Sequence, residues 1–565
     1  DTEIEQFFHT IIYNRQKPNE LFLAIILKTL FNSTNFKNAA NELFEGVKNS
    51  KAVCAKVFTK NDIAFKCYDC EKDPTCVICK ECYEKGKHKG HRVLMQKSVS
   101  GCCDCGDPDA WNEAGFCSDH PGYANFKPTY SIDDIPAEFR ENFLRVFEKC
   151  FFYLFNLYEE LKLCKQEDLV LMEAIDDVLK NIMGALEFCG EKSMALWLLT
   201  CKLFKTKLSE NKRELFANTS NIKEMSFHSI NKLCDFTYFE ALVFYHQLNS
   251  ANIHDKLQNL CIKLFVDYDF KIYMAETYIK MVHFIFYTES HENKEEQAQG
   301  PKYAYTRLVG LDVQLFTAEE FSIIGVNSVH FPTFLDLFEE LLKYAIRCPN
   351  YSSFETFMQY HSFFFYTCQK TPSRKVLLYK EGAVKRILEC LNTFNYCFKI
   401  DVTKKHSLNP QIVEDLIYLM EIEYKLLQIV DNLFVELSLE ENKTTRLEVA
   451  QDLAEYFVNT IKRNDIKAFK ESKEFNKYRS IHIPYYRAFT LFIKNMVEEP
   501  TSAALEKLLK TDLKLSDRNI EIVFLFLFQI ALRTMTFTIV NEKKIWEFYS
   551  PIFDIFSSMY KNPKL

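Results

Sequence analysis

The chain has 565 residues, of which 48% are hydrophobic, and a formal net charge of -7 with a pI near 6.1. Such a length predicts several domains of about 100 to 200 residues each, and the acidic balance leaves no electrostatic footprint for nucleic acid. Only 13 Gly and 15 Pro stand against 52 Phe and 29 Tyr, which argues against disorder, sandwiches and Gly-rich phosphate-binding folds and predicts a mostly α protein with an aromatic interior.

No run of roughly 18 apolar residues free of charge occurs, and the opening Asp1-Thr2-Glu3-Ile4-Glu5 lacks the basic start and apolar core of a signal peptide. No membrane partner is expected, and the expected location is cytoplasmic or nuclear. A start at Asp in place of Met suggests a piece of a longer chain. Half of the 20 Cys fall in one early stretch. The others, such as Cys150, Cys189, Cys201, Cys234 and Cys368, sit among apolar neighbours and read as small buried thiols in a reducing compartment.

In chain order, residues 1–50 carry helical periodicity, for instance Leu21, Leu23, Ile25, Ile26, Leu30 and then Ala39, Leu43, Phe44, Val47. They predict a helical prelude that packs beside the next segment. In residues 51–122 the periodicity disappears. Thirteen Cys and His crowd the 67 positions from Cys54 to His120, paired as Cys67-x2-Cys70, Cys76-x2-Cys79, Cys79-x2-Cys82, His88-x2-His91, Cys103-x-Cys105 and Cys117-x2-His120, with Cys54 in front and Cys102 beside Cys103. Apolar residues are too sparse there for a self-supporting core, so metal must replace one. Residues 123–137 read as a linker rich in Pro, Gly, Tyr and Asp. Residues 138–565 are dominated by amphipathic helical patterns, beginning with Phe143, Val146, Phe147, Cys150, Phe151, Leu154 and Phe155 at spacings of three and four. These patterns recur to Ile412–Leu437 and Ile520–Phe537, with breaks near 290–301 and 403–410. The expected architecture is a small irregular zinc domain followed by a large, solenoid-like α-helical scaffold, in one or two subdomains.

Such pair spacings place two soft ligands on one turn, where both reach the same zinc. Eight Cys (54, 67, 70, 79, 82, 103, 105, 117) and three His (88, 91, 120) make eleven candidate ligands. Three tetrahedral ions would need one thiolate to bridge two of them or one site to stay open; two independent ions would leave several ligands over. Spacing alone does not choose, nor does it say whether Cys76 or Cys102 replaces a neighbour. A zinc hydrolase or deaminase would show H-E-x-x-H, or H-x-E with P-C-x-x-C, and neither occurs. A nucleic-acid finger would present a basic helix, whereas ten Lys and Arg between Cys54 and His120 are matched by eleven Asp and Glu. A recognition module remains. Asp104 between Cys103 and Cys105, Asp107 just after, and Asp73 in the Cys70–Cys79 loop put carboxylates on a metal-held frame, which suits an ammonium or guanidinium ligand.

The run Cys54-x12-Cys67-x2-Cys70, Asp73-Pro74-Thr75-Cys76-Val77-Ile78-Cys79-x2-Cys82, His88-x2-His91, Gly101-Cys102-Cys103-Asp104-Cys105-Gly106-Asp107 with Ala110-Trp111, and Phe116-Cys117-x2-His120 resembles a UBR box. This is the substrate-binding zinc domain of the N-recognins, ubiquitin ligases of the N-degron pathway. The resemblance implies three zincs: one on Cys67, Cys70, His88 and His91, one on Cys54, Cys79, Cys82 and Cys103, and one on Cys82, Cys105, Cys117 and His120, with Cys82 bridging. Cys76 and Cys102 then fall on non-ligand positions. It implies further that Asp104 and the Cys102 carbonyl hold a substrate's free α-amine, that Asp73, Thr75 and Asp107 take a first side chain of Arg, Lys or His, and that Val77 lines the contact for the second residue.

More weakly, Leu264–Phe270, Val313–Thr317 and Ser480–Arg487 resemble landmarks of the helical scaffold in large members of that family, which gives His482 a structural role. No second Cys/His cluster that could be a RING follows His120, and no counterpart of the domain for bulky hydrophobic N-termini is found. The expected function is therefore substrate recognition for ubiquitination and proteasomal degradation, with the conjugating enzyme engaged through a RING outside this chain. The ubiquitin-transferase activity would belong to the full-length protein. The alternative is a non-catalytic zinc-containing adaptor that binds an internal or non-degron partner.

Overall fold

The computed structural model describes residues 2–397 except 15–20, 48–49, 60, 73–74, 98–100, 164–168, 209–235, 247–250, 293–310, 312–314, 348–350 and 380–381, together with scattered positions between 418 and 433. Asp73, most of the expected break at 290–301, the break at 403–410, the helical pattern at 520–537 and the Ser480–Arg487 landmark with His482 lie outside the described residues. The described chain is mostly helical, with one small sheet. It divides into two compact units: Asp1–Glu289 with Tyr303–Ile324, and Ser290–Lys302 with Gly325–Leu565.

In the first unit, α1 (Thr2–Asn14), α2 (Leu21–Phe31) and α3 (Phe36–Leu43) precede the zinc segment, and α5 (Ala137–Leu163), α6 (Leu169–Lys192), α7 (Met194–Lys205), α8 (Tyr238–His246), α9 (Ala251–Leu264) and α10 (from Tyr268) follow it. The stripe Phe143, Val146, Phe147, Cys150, Phe151, Leu154 and Phe155 is fully buried along α5, as its three-and-four spacing dictates. Helix α6 is the hub, packed against α2, α5, α7 and α9. The prelude helices α1 and α2 pack on α5 and α6. Aromatic surface decides this: Phe8 packs on Tyr153 at 4.9 Å between centroids, Phe31 meets Phe139 at 5.2 Å and Phe188 at 6.1 Å, and Asn142 of α5 donates to the Leu30 carbonyl at the end of α2 at 2.8 Å.

The segment expected as a linker is ordered. Ser131 and Asp134 form a capping box around a short 3₁₀ turn, Ile132–Asp134, and Arg140 of α5 ties back to the Ile132 carbonyl at 3.3 Å. In the second unit α11 (Phe331–Arg347), α12 (Tyr351–Thr367), α13 (Thr371–Tyr379) and α14 (Ala383–Cys397) pack through the same chemistry. Phe338 lies 4.4 Å from Phe364 between centroids, and Arg386 of α14 bridges Asp336 and Glu339 of α11, each at 2.6 Å. No single helix among the described residues is long and apolar enough to cross a membrane.

One close approach fixes how α6 and α7 meet. A Cβ on Gly190 would stand 2.0 Å from Cε2 of the buried Trp197 ring. Helix propensity alone favours Ala over Gly by roughly 1 kcal/mol, but a rigid indole cannot yield by rotating a chain end. Gly190→Ala should therefore destabilise the protein by about 1 to 3 kcal/mol, read as a lowered urea midpoint at unchanged slope.

Candidate metal centre and acidic rim

Three strands organise the zinc segment. β1 (Ile63–Cys67) is central, antiparallel both to β2 (Ile78–Cys79) and to β3 (Val93–Lys97), with Ala64 opposite Cys79 and Gln96. Strand β1 ends on Cys67, and the turn after it closes with Cys70 and Glu71 N–H groups donating to the Cys67 carbonyl at 3.1 and 2.8 Å. Strand β2 ends on Cys79, which starts the short helix α4 (Lys80–Lys85) that carries Cys82. The front of the segment runs beside residues 101–105: Cys54 N–H donates to the Cys105 carbonyl and Cys103 N–H to the Lys56 carbonyl, both at 2.9 Å. Backbone pairing thus brings ligands distant in sequence to one place.

The eleven candidate ligands fall into three sets, each with its donor atoms within 4.8 Å of one another: Cys67, Cys70, His88, His91; Cys54, Cys79, Cys82, Cys103; and Cys82, Cys105, Cys117, His120. Cys82 belongs to two sets, while Cys76 and Cys102 belong to none. The Cys54 and Cys79 sulfurs are 4.0 Å apart, too far for a disulfide at about 2.05 Å. Nδ1 of His91 is 3.2 Å from the Cys70 sulfur, and Nδ1 of His120 is 3.1 Å from the Cys117 sulfur. Zinc–ligand bonds of about 2.0 to 2.3 Å arranged tetrahedrally place donor atoms about 3.3 to 3.8 Å apart, so the donor sets fit zinc.

Charge and core composition agree. Hydrogen bonding from Cys103, then from Cys54, pulls the Cys79 thiol well down, and hydrogen bonding from Cys105, then Cys82, does the same to Cys117. Cys82 is pushed well up, chiefly by Cys103 and Cys105. Thiols crowded this way cannot all ionise unaided; a dication removes the conflict and takes the thiolates as ligands. Backbone N–H groups already point at the sulfurs, from Cys79 to Cys103 at 3.1 Å and from Cys117 to Cys105 at 3.3 Å. The buried cluster contains Phe58, Ala64, Val77, Ile78 and Trp111 but more cysteines than hydrocarbon side chains. Gly115 is needed beside it, because a Cβ there would lie 2.7 Å from the Cys70 sulfur and 2.9 Å from the Trp111 indole nitrogen.

The acids expected to bind substrate ride on this frame. Asp104 is doubly tied to Val77: its Oδ2 accepts from the Val77 N–H at 2.6 Å, and its own N–H donates to the Val77 carbonyl at 2.9 Å. Asp107 N–H donates to the Asp104 carbonyl at 3.1 Å, and the Asp107 carbonyl accepts from Trp111 N–H at 2.9 Å. Between them Gly106 has φ of +95° and backs onto Ala52, whose carbonyl a Cβ would approach to 2.4 Å, so only glycine makes this turn. Cys102 is bridged by backbone to Val57, and burial pushes its thiol well up, which keeps it a neutral neighbour of the ligands. Thr75 is exposed, two residues ahead of the buried Val77. The structure therefore brings Val77, Asp104 and Asp107 together with the Cys102 backbone on one metal-held set of turns.

One residue beside the acids has no counterpart in the local sequence pattern. Lys271, near the start of α10, is 4% exposed and its ammonium lies 3.3 Å from Asp107 Oδ2. Nearby, Tyr123 OH donates to the Phe265 carbonyl at 2.6 Å, so the Leu264–Phe270 landmark is held against the segment that follows the zinc domain.

Three four-donor Cys/His sets with buried sulfurs, and carboxylates fixed beside them, define a zinc module with an acidic rim. Residues 53–120 match the family described as "Putative zinc finger in N-recognin (UBR box)", and this segment is a UBR box. Similar curated proteins include the E3 ubiquitin-protein ligase PRT6 of Arabidopsis thaliana, 45% identical over 80 residues, and the E3 ubiquitin-protein ligase UBR1 of Mus musculus, 46% identical over 84. The E3 ubiquitin-protein ligase UBR3 of Homo sapiens is 41% identical over 88 residues. These matches cover 14%, 14% and 15% of this chain and only 4%, 5% and 4% of the relatives.

Sharing of Cys82 has a measurable consequence. Relative to three zincs in the parent protein, Cys82→Ser should lose two ions per chain and His91→Ala one, as read by elemental analysis of the purified variants. Chelation should abolish the near-ultraviolet signal of buried Trp111 while leaving the far-ultraviolet helical signal largely intact.

Proposed function

We propose that this chain is the substrate-binding part of an N-recognin. It binds proteins whose first residue is Arg, Lys or His in the cytoplasm or nucleus and presents them for ubiquitination and proteasomal degradation. The observation that carries this reading is the placement of Asp104, locked to Val77, with Asp107 one tight turn later on the metal frame. A free α-amine needs an anion held against a backbone carbonyl, and a basic first side chain needs a second anion a few ångströms further on. Both groups are fixed before the ligand arrives, which reduces the entropy lost on binding. The naming of the relatives as E3 ubiquitin-protein ligases supports the class. The ubiquitin-conjugating enzyme would be engaged through a RING outside this chain.

A second reading, a zinc-containing adaptor for an internal segment, differs in one requirement: it needs no free N-terminus. A peptide beginning with Arg should bind with a dissociation constant of about micromolar order, and acetylating its α-amine should remove most of that affinity; equal binding of the two peptides selects the adaptor. In calorimetry, Asp104→Ala should weaken every basic N-terminus by about 1.5 to 3 kcal/mol. Asp107→Ala should weaken Arg-first peptides more than peptides with a neutral first residue.

A further inference from the structure

Asp107 already has a cation. Its Oδ1 accepts from the Asp109 N–H at 3.0 Å, and its Oδ2 faces the Lys271 ammonium at 3.3 Å. Lys271 is almost wholly buried while Asp107 remains a quarter exposed. The ammonium also sits 4.7 Å from the centroid of the Phe321 ring and 5.9 Å from that of Phe265. A buried ammonium needs compensation for the water it loses, and here one carboxylate and two aromatic faces supply it. An ionised carboxylate offers about four acceptor sites, so beside the Asp109 N–H and the Lys271 ammonium it keeps capacity for a second cation. That partner has room to approach, because Asp107 and Lys271 both line a cavity of about 1210 Å³ between the UBR box and the helices, with Pro108, Asp109, Tyr268 and Phe321.

We propose that Lys271 is a specificity-determining residue of the first-residue pocket, a built-in counter-ion that limits how strongly a positive first side chain is preferred. The inference rests on the functional reading above and deepens it. A guanidinium or ammonium arriving at Asp107 must share the carboxylate with Lys271. The two cations repel each other across it, at short range and partly out of water, where screening is weak. Lys271 thus subtracts from the side-chain contribution and leaves the α-amine contribution at Asp104 in place. The helical scaffold thereby takes part in a selectivity that the zinc segment would otherwise set alone.

The test compares two peptides that differ only in first-residue charge: one beginning with Arg and one beginning with citrulline, its neutral isostere. In the full chain, Lys271→Met should raise the ratio of Arg-first to citrulline-first affinity by about fivefold. In an Asp107→Asn background the same substitution should change the ratio by a different factor, since the anion that couples the two cations is gone; equal factors in the two backgrounds would overturn the sharing. Zinc content and helical circular dichroism establish that each variant is folded. If Lys271→Met fails that check, Lys271→Gln, which keeps a polar donor and loses the charge, is read in the same way. A ratio that stays the same or falls on loss of the Lys271 charge, in a protein that binds the Arg-first peptide, overturns the proposal and leaves the functional reading intact. A parent protein that binds neither peptide removes that reading, and this inference with it.

Discussion

Sharing of one sulfur between two donor sets is the constraint on which the rest of the zinc segment depends. Cys82 stands on α4, while its partners come from the front of the segment at Cys54, the end of β2 at Cys79, the 103–105 stretch and the 117–120 turn. Ordering a backbone costs about 1 to 2 kcal/mol per residue, and a cluster whose fully buried hydrocarbon part is Phe58, Ala64, Val77, Ile78 and Trp111, with Phe65, Tyr83, Val93, Ala110 and Phe116 partly buried against it, is small against nearly seventy residues. Metal coordination supplies the difference and, through Cys82, couples two of the three sites. These turns stand or fall together.

Rigidity at the metal passes directly to the acids. Asp104 lies between two ligands, and its reciprocal bonds with Val77 tie it to the strand that delivers a third, Cys79. Asp107 follows through Gly106, whose conformation and close approach to Ala52 no other residue could adopt. The sulfur atoms therefore determine where two carboxylates stand to within the tolerance of a hydrogen bond. A site of this kind gains affinity from what it does not have to reorganise.

Much of this was legible in the sequence, for identifiable reasons. Cys67 and Cys70, or His88 and His91, are brought together by a single turn, so spacing alone announces them, and the buried stripe of α5 follows from its period. Assembly of Cys54 with Cys79, Cys82 and Cys103 was not readable from spacing, because long-range backbone pairing gathers those ligands; only the resemblance to a UBR box supplied that grouping. The prelude shows the same limit: the apolar faces of α1 and α2 were visible, but the choice of α5 and α6 as their partner depends on aromatic surfaces more than a hundred residues away. Lys271 is the extreme case. It lies 164 residues from Asp107, on a helix whose pattern announces only a core, and no local motif distinguishes a buried cation from a solvated one.

The docking of box and helices therefore carries electrostatic information as well as packing. Tyr123 reaches the Phe265 carbonyl and its ring packs against Tyr268 at 5.1 Å, which fixes the start of α10 relative to the acidic rim. Lys271 follows one turn further along that helix, so its distance to Asp107 is set by this aromatic joint. Phe321, from a separate helix, covers the ammonium on another side. Any change that shifts α10 along its axis alters the field at Asp107 without touching a zinc ligand. The zinc frame sets where the carboxylates are; the helical scaffold sets how much of the charge on one of them is free.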